Sequence, residues 1–343
     1  MKTTSRFHDY RRQSRSFGMR HPAVLSTILI VMLLVTTRGH CLVGHYAGEV
    51  MAAGGGARSL AMGGACTALT DDAWSLFWNP SGLANVDRMQ LGLMHSERFD
   101  GIVDYDVGVF AIPRPDKSVW SLGLIRLGVN GIPNTRLEDD DQPHSENNRV
   151  EVDHYFNDGQ YAFFIAKAAQ MKNWRWGIAP KFLYQHLDEH SAYGLGIDLG
   201  FAGRLFPRFP VITAITVRDM LGTVLTWDTD RSEVIPPTLK VGLASTINLS
   251  RMEAKLSPVV DFTYRFEAVG DSDAVVWQYG MEYLVKDMVA LRVGSDEGRL
   301  TFGGGINLKV FAINYAFLDH DDLGDTHRIS IIARWSKKQV EVE

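Results

Sequence analysis

Cysteine is almost missing from this chain: 343 residues hold two, Cys41 and Cys66. That excludes a disulfide framework and a cysteine zinc site, both of which need several cysteines at fixed spacing. An excess of positive charge is missing too. Lys and Arg number 35 against 40 Asp and Glu, a formal net charge of −5, so nucleic acid finds no cationic face. Long apolar runs are scarce as well. The longest, Ala23 to Thr37, has 15 residues, short of the ~20 that a membrane-spanning helix needs. A mean hydropathy of −0.08 excludes a multi-helix membrane protein. It does not exclude a membrane β-barrel, whose strands turn only half their residues towards lipid.

Catalytic and cofactor signatures are absent. Gly54-Gly55-Gly56-Ala57-Arg58 lacks the Lys-Ser/Thr of a phosphate loop, and neither G-x-S-x-G nor H-E-x-x-H occurs. The run Glu138-Asp139-Asp140-Asp141 lacks the oxygen spacing and turn glycine of a calcium loop and reads as solvated charge. Asp319-His320-Asp321-Asp322, with Asp325 and His327, reads as a polar hairpin loop. His186 and His190 read as surface residues around a turn. The expectation is a non-enzyme with no catalytic residue, cofactor or metal.

What the chain does have is 45% apolar residues, too many for disorder, and 32 glycines. Residues 1–44 read as a signal peptide: a basic start (Arg6, Arg11, Arg12, Arg15, Arg20), the apolar core, then cleavage between Gly39 and Ala47. Met19 is a candidate true start. Cys41 would leave with that segment, and RGHC lacks the small residues that precede a lipid-anchored cysteine. From Met89 onward the pattern has period two. In Tyr193–Leu205 the odd positions read Tyr, Leu, Ile, Leu, Phe, Gly, Leu against Gly, Gly, Asp, Gly, Ala, Arg. Such runs are half-buried strands. Turn signals divide 89–336 into about fourteen of them, many near the ~10 residues a tilted strand needs to cross a membrane, with tryptophans (Trp120, Trp174, Trp176, Trp277, Trp335) near strand ends.

Pro180 and Pro258 fall inside strands, where each removes a ladder hydrogen bond, so β-bulges are expected at both. Gly131 to Asn157 and Leu221 to Pro237 read as extracellular loops, and 337–343 as a polar tail. Between the signal peptide and the first strand, 45–88 does not alternate. There Asp71 and Asp72 are placed to cap a short helix through Ala73-Trp74-Ser75-Leu76, and Asn79-Pro80-Ser81-Gly82 is a turn. This segment reads as a compact hatch held inside an all-β, transmembrane antiparallel barrel.

The run GARSLAMGGACTALTDDAWSLFWNPSGLA resembles the N-terminal signature of the PorV/PorQ family of outer-membrane proteins. It is more distantly similar to the FadL family of long-chain fatty-acid transporters, whose hatch carries a similar Asn-Pro-small-Gly turn. The resemblance continues through YGLGIDLGFAGRLF, VIPP and INYAFLDHDDLGDTHRISIIARW. It implies an exported outer-membrane barrel with Asp71, Asp72, Asn79, Pro80 and Gly82 in the hatch. PorV-like function would mean protein secretion of type IX kind, with secreted cargo and secretion-system components as partners. FadL-like function would mean uptake of hydrophobic small molecules. In either case outer-membrane lipid is a partner and nucleic acid is not. By alternation, Asp104, Asp106, Arg175, Lys181, Asp198, Arg204, Lys240, Lys255, Asp261, Glu282, Arg292, Arg328 and Arg334 point into the lumen, as the lining of a conduit or as a self-sealing polar core.

Overall fold

The structure is a computed structural model that describes residues 49–98, 101–139, 141–205, 209–266, 275–318 and 325–336. The expected signal peptide, Asp140, the cluster Asp319-His320-Asp321-Asp322 and the tail 337–343 lie outside the described residues.

One antiparallel sheet holds all seventeen strand segments of the described residues, and it closes on itself where β1 (Met89–Arg98) pairs with β17 (Thr326–Trp335). Two of its staves are interrupted. β6 (His190–Gly203) pairs first with β8 (Thr223–Trp227) and then with β7 (Val211–Arg218), so β7 and β8 are one stave broken at 219–222. β9 (Ser232–Ile235), β10 (Thr238–Ser245) and β11 (Ile247–Leu249) likewise form one stave, broken at Pro236-Pro237 and at Thr246. Seventeen segments therefore make the fourteen staves that the period-two pattern predicts. Closure removes the exposed edges that a sheet otherwise presents.

Both ends of the barrel wall, Met89 and Trp335, lie at one end, here called lower, where the connections are short. At the upper end β3 (Ser118–Leu137) and β4 (Val150–Met171) run on as a paired ribbon well past the end of β2 (Val103–Pro113). Most of Gly131 to Asn157 is thus strand, and Leu221 to Pro237 contains the β8–β9 hairpin; neither is the irregular loop that its polarity suggests. The expected bulges are also corrected. Across Pro180 the β4–β5 register is the same on both sides, with Phe164 opposite Lys181 and Lys167 opposite Ile178. Across Pro258 it is unchanged too, from Ala244↔Val259 to Ile247↔Leu256. Each proline sits where the ladder skips a bond without an extra residue. The register shifts fall instead in the β3–β4 ribbon, at Val129/Ile132 and Asn134/Thr135.

The exterior is apolar. Leu91, Leu93, Leu122, Leu124, Phe163, Ile165, Leu195, Ile313, Ile329 and Ile331 all face outward and exposed. Trp120, Trp174 and Trp335 ring the lower end, where Trp335 stacks on Phe110 with centroids 6.0 Å apart. Tyr161, Tyr184 and Tyr193 stack in series towards the upper end.

Candidate functional site: a plugged lumen with two unlike walls

Residues 49–88 are packed inside the barrel. They make three four-residue helical turns (Glu49–Ala52, Ala57–Leu60, Ser75–Trp78) and a 3₁₀ turn over Pro80–Asn85. None is long enough to be stable alone, so the wall must hold them. It does so first by making room. A Cβ on Gly177 would lie 2.3 Å from the carbonyl carbon of Pro80, one on Gly294 2.1 Å from that of Met62, and one on Gly123 2.4 Å from Leu76. Inward glycines at these heights let hatch backbone ride on strand backbone. Gly63 returns the favour, with a φ of +66° and its own missing Cβ 2.4 Å from the Ser295 carbonyl oxygen.

The hatch then fills the space with aromatic bulk. Trp74, Phe77 and Trp78 are buried, and Phe77 meets Phe164 of the wall edge-on at 5.3 Å. Burying each such ring is worth about 1.5–3 kcal/mol.

Polar groups fix the register. Asn79 is fully buried; its Oδ1 accepts from Ser81 N and Oγ at 3.0 and 2.7 Å, and its Nδ2 donates to the Thr67 carbonyl at 2.9 Å. Pro80 follows at the first position of the 3₁₀ turn, where its missing N–H costs nothing. Gly82 is needed for space, since a Cβ there would lie 2.2 Å from Thr70 Oγ1. Asp261, on β12 (Ala254–Arg265), reaches in and accepts from Cys66 N, Thr67 N and Thr67 Oγ1 at 3.0, 2.9 and 2.6 Å, with Lys240 Nζ at 4.0 Å. Burial, then the Asp261 carboxylate, push the Cys66 thiol above its ordinary value. Arg58 binds Glu282 through two bonds of 2.9 Å and also reaches Asp71. Glu282 accepts from Arg292 Nε at 2.7 Å, and Arg292 Nη1 donates to Asn314. Asp72 accepts from Trp74 N at 3.0 Å, in the turn before Ser75–Trp78. Burial, then the neighbouring Asp71, raise the Asp72 carboxyl to about 6.

Of the residues read from alternation as lumen-facing, Lys181 and Asp198 come together with Asp219 in a buried cluster, Nζ lying 2.7 and 2.8 Å from the two carboxylates. Asp261, Glu282 and Arg292 also face in. Asp104 and Asp106 do not. They share a strand with Tyr105, which faces the lumen and donates to the Val50 and Gly54 carbonyls at 3.0 and 2.9 Å. The two carboxylates therefore face outward, Asp106 bonded to His95 and Arg126 at 2.7 and 2.9 Å. Arg204 lies past the end of β6 on an exposed lower turn. Alternation gave the wrong sign in β2 because the hatch makes that wall's inner face the apolar one. Arg58, Tyr105 and Asp219 were not singled out by sequence; only the glycines recurring in phase with the inner face signalled that something packs there.

The two sides of the lumen around the N-terminal turn of the hatch differ. On the side of β2–β6 and the β8–β9 hairpin, Val103, Tyr105, Leu127, Val129, Leu183, Leu225, Trp227 and Ile235 belong to one apolar cluster that also takes in Val50 and Met51 of the hatch. On the other side the inward positions carry Arg98, Arg218, Arg265, Arg299 and Arg328, in phase with buried Ser96, Thr216, Thr263, Thr301 and Ser330. Among the described residues Arg265 pairs with Glu297 at 2.6 Å, Arg299 with Asp296 and Glu297 at 3.5 and 3.8 Å, Arg218 donates to the Met51 carbonyl at 2.7 Å, and Glu233 lies beside Trp227.

No family model and no curated protein sequence matches the chain. Solved structures do. The toluene transporter TbuX of Ralstonia pickettii aligns with a TM-score of 0.54 at 13% identity, over 82% of this chain and 98% of its own. The toluene transporter TodX of P. putida aligns with a TM-score of 0.53 at 12% identity, over 83% and 99%. The fold, a closed fourteen-stranded antiparallel barrel, is similar to that of these two transporters. The PorV/PorQ assignment has no counterpart in these two structures, and neither name concerns protein secretion.

Proposed function

We propose that the chain is an outer-membrane channel for the uptake of hydrophobic compounds that carry an anionic head, with the hatch as its gate. The apolar exterior between aromatic rings supports the membrane setting, and the likeness in fold to two toluene transporters supports transport over secretion. The observation that carries the finer reading is the pair of unlike walls around the N-terminal turn of the hatch. A neutral hydrocarbon there satisfies the wall of Leu127, Leu183, Leu225 and Trp227 but offers nothing to the arginines opposite, of which Arg328 is buried. A small hydrated anion gains nothing from the apolar wall. A molecule with an apolar body and an anionic head satisfies both. Because hatch side chains fill the lower lumen, passage requires the hatch to shift.

Calorimetry of the purified protein with octanesulfonate and with octanol tests this. A charge-assisted contact to an arginine is worth about 1.5–3 kcal/mol, so the anion is expected to bind roughly 10- to 100-fold more tightly. Arg328→Gln should shrink that preference. Equal affinity for the two compounds would rule out the arginine wall as a recognition element.

A further inference from the structure

The two ends of the barrel carry opposite charge. At the lower end every connection between strands holds an exposed base: Arg114 and Lys117, Lys172, Arg204, Arg251, Lys286 and Lys309. Among the described residues acids are fewer there: Asp87, Asp116, Glu253 and Asp287, with exposed Asp71 of the hatch, and Glu253 and Asp287 lie 3.7 and 2.6 Å from Lys286 and Lys255. At the upper end the described connections are acidic, with Glu138, Asp139, Asp141, Glu146, Glu189, Asp228, Asp230 and Glu297 exposed and Asp188 half-buried, against Arg149 and Arg231. The lower bases border the ring of outward tryptophans. Lys167 shows how the two meet, its ammonium standing 5.4 Å from the centre of the Trp120 ring. A long basic side chain in that place can lay its stem on apolar surface and hold its charge at headgroup level.

We propose that this lower rim binds the headgroups of anionic phospholipids and thereby sets the direction and depth of the barrel in its membrane. The bases are spread around the rim beside the apolar belt instead of converging on one pocket, which fits a lipid annulus and not a soluble phosphate. The proposal rests on the membrane reading above and is independent of what crosses the lumen.

The test folds the protein into nanodiscs of equal phosphatidylcholine and phosphatidylglycerol, releases it into non-ionic detergent, and counts retained lipids by native mass spectrometry. Phosphatidylglycerol should be favoured roughly fivefold per contact, the equivalent of about 1 kcal/mol for one Lys or Arg near an anionic surface. The variant Arg114→Gln/Lys117→Gln/Lys172→Gln/Lys309→Gln should bring the ratio close to parity, whereas Asp188→Asn/Glu189→Gln/Asp228→Asn should leave it unchanged. Heat-modifiable gel migration verifies that each variant is a folded barrel. Parity in the folded parent protein would overturn the proposal and leave the channel reading intact, and so would an equal change from the upper-rim variant. Failure to enter the nanodiscs at all would overturn it together with the membrane reading.

Discussion

Asp261 is where the hatch is most exposed to a single change. Its Oδ2 takes three hydrogen bonds from Cys66 and Thr67, and its charge opposes Lys240, whose side chain is only 6% exposed. In Asp261→Ala the wall stays apolar outside, but three donors and one ammonium are left buried without that carboxylate. Removing one partner of a buried ion pair costs about 3–5 kcal/mol. A closed fourteen-stave sheet does not come apart for that sum; the hatch, with its four-residue turns, does. The reporter is already in place, because Cys66 is 1% exposed and donates one of the bonds. In a Cys41→Ser background, maleimide reacts with Cys66 only when the hatch opens. Asp261→Ala should raise the labelling rate by roughly two to three orders of magnitude while heat-modifiable migration stays normal. Unchanged labelling in a folded barrel would refute the reasoning, since the carboxylate would then hold nothing.

Other outcomes follow from the same geometry. Gly294→Ala drives a Cβ to within 2.1 Å of the Met62 carbonyl carbon and should weaken hatch docking by about 1–3 kcal/mol, read as faster Cys66 labelling. Tyr105→Phe removes the hydroxyl that donates to Val50 and Gly54, and should loosen residues 49–54 by about 1 kcal/mol, seen as faster proteolysis of that end alone. Asp72 titrates near 6 in the folded protein against about 4 when unfolded, so the folded state binds the extra proton between those values. Hatch docking should therefore tighten as pH falls from 7.5 to 5, by about 1–1.5 kcal/mol, as measured by hydrogen exchange of hatch amides, and Asp72→Asn should remove that dependence.

How much of this was legible beforehand depends on what each face of a strand touches. Period two gave the fourteen staves because one rule holds along the apolar belt of the outer face: Leu91, Leu122, Leu195 and Ile329 obey it alike. No single rule governs the inner face. Around β12–β17 it is polar, and alternation put Asp261, Glu282 and Arg292 on the correct side. Along β2–β4 it meets Trp74, Phe77 and the N-terminal turn, so Tyr105, Ile125 and Phe164 are inward and apolar, and alternation misplaced Asp104 and Asp106. The Asn79-Pro80 turn was visible because its backbone chemistry is local. The partners of Arg58 are not, since Glu282 lies 224 residues away in sequence. The prolines misled for a related reason: whether a missing N–H needs a bulge depends on the facing strand, and at Thr246 that strand is already interrupted.

The central claim is that hydrophobic anions pass through the lumen when the hatch moves. Ala57 N lies 3.1 Å from Ser330 Oγ, on β17, so the pair Ala57→Cys and Ser330→Cys offers a lock between hatch and wall. The measurement is octanesulfonate uptake into proteoliposomes carrying this variant, oxidised and then reduced. Uptake that stops on oxidation and returns on reduction is predicted. Equal uptake in both states, with the cross-link shown to be complete, would contradict a route gated by the hatch.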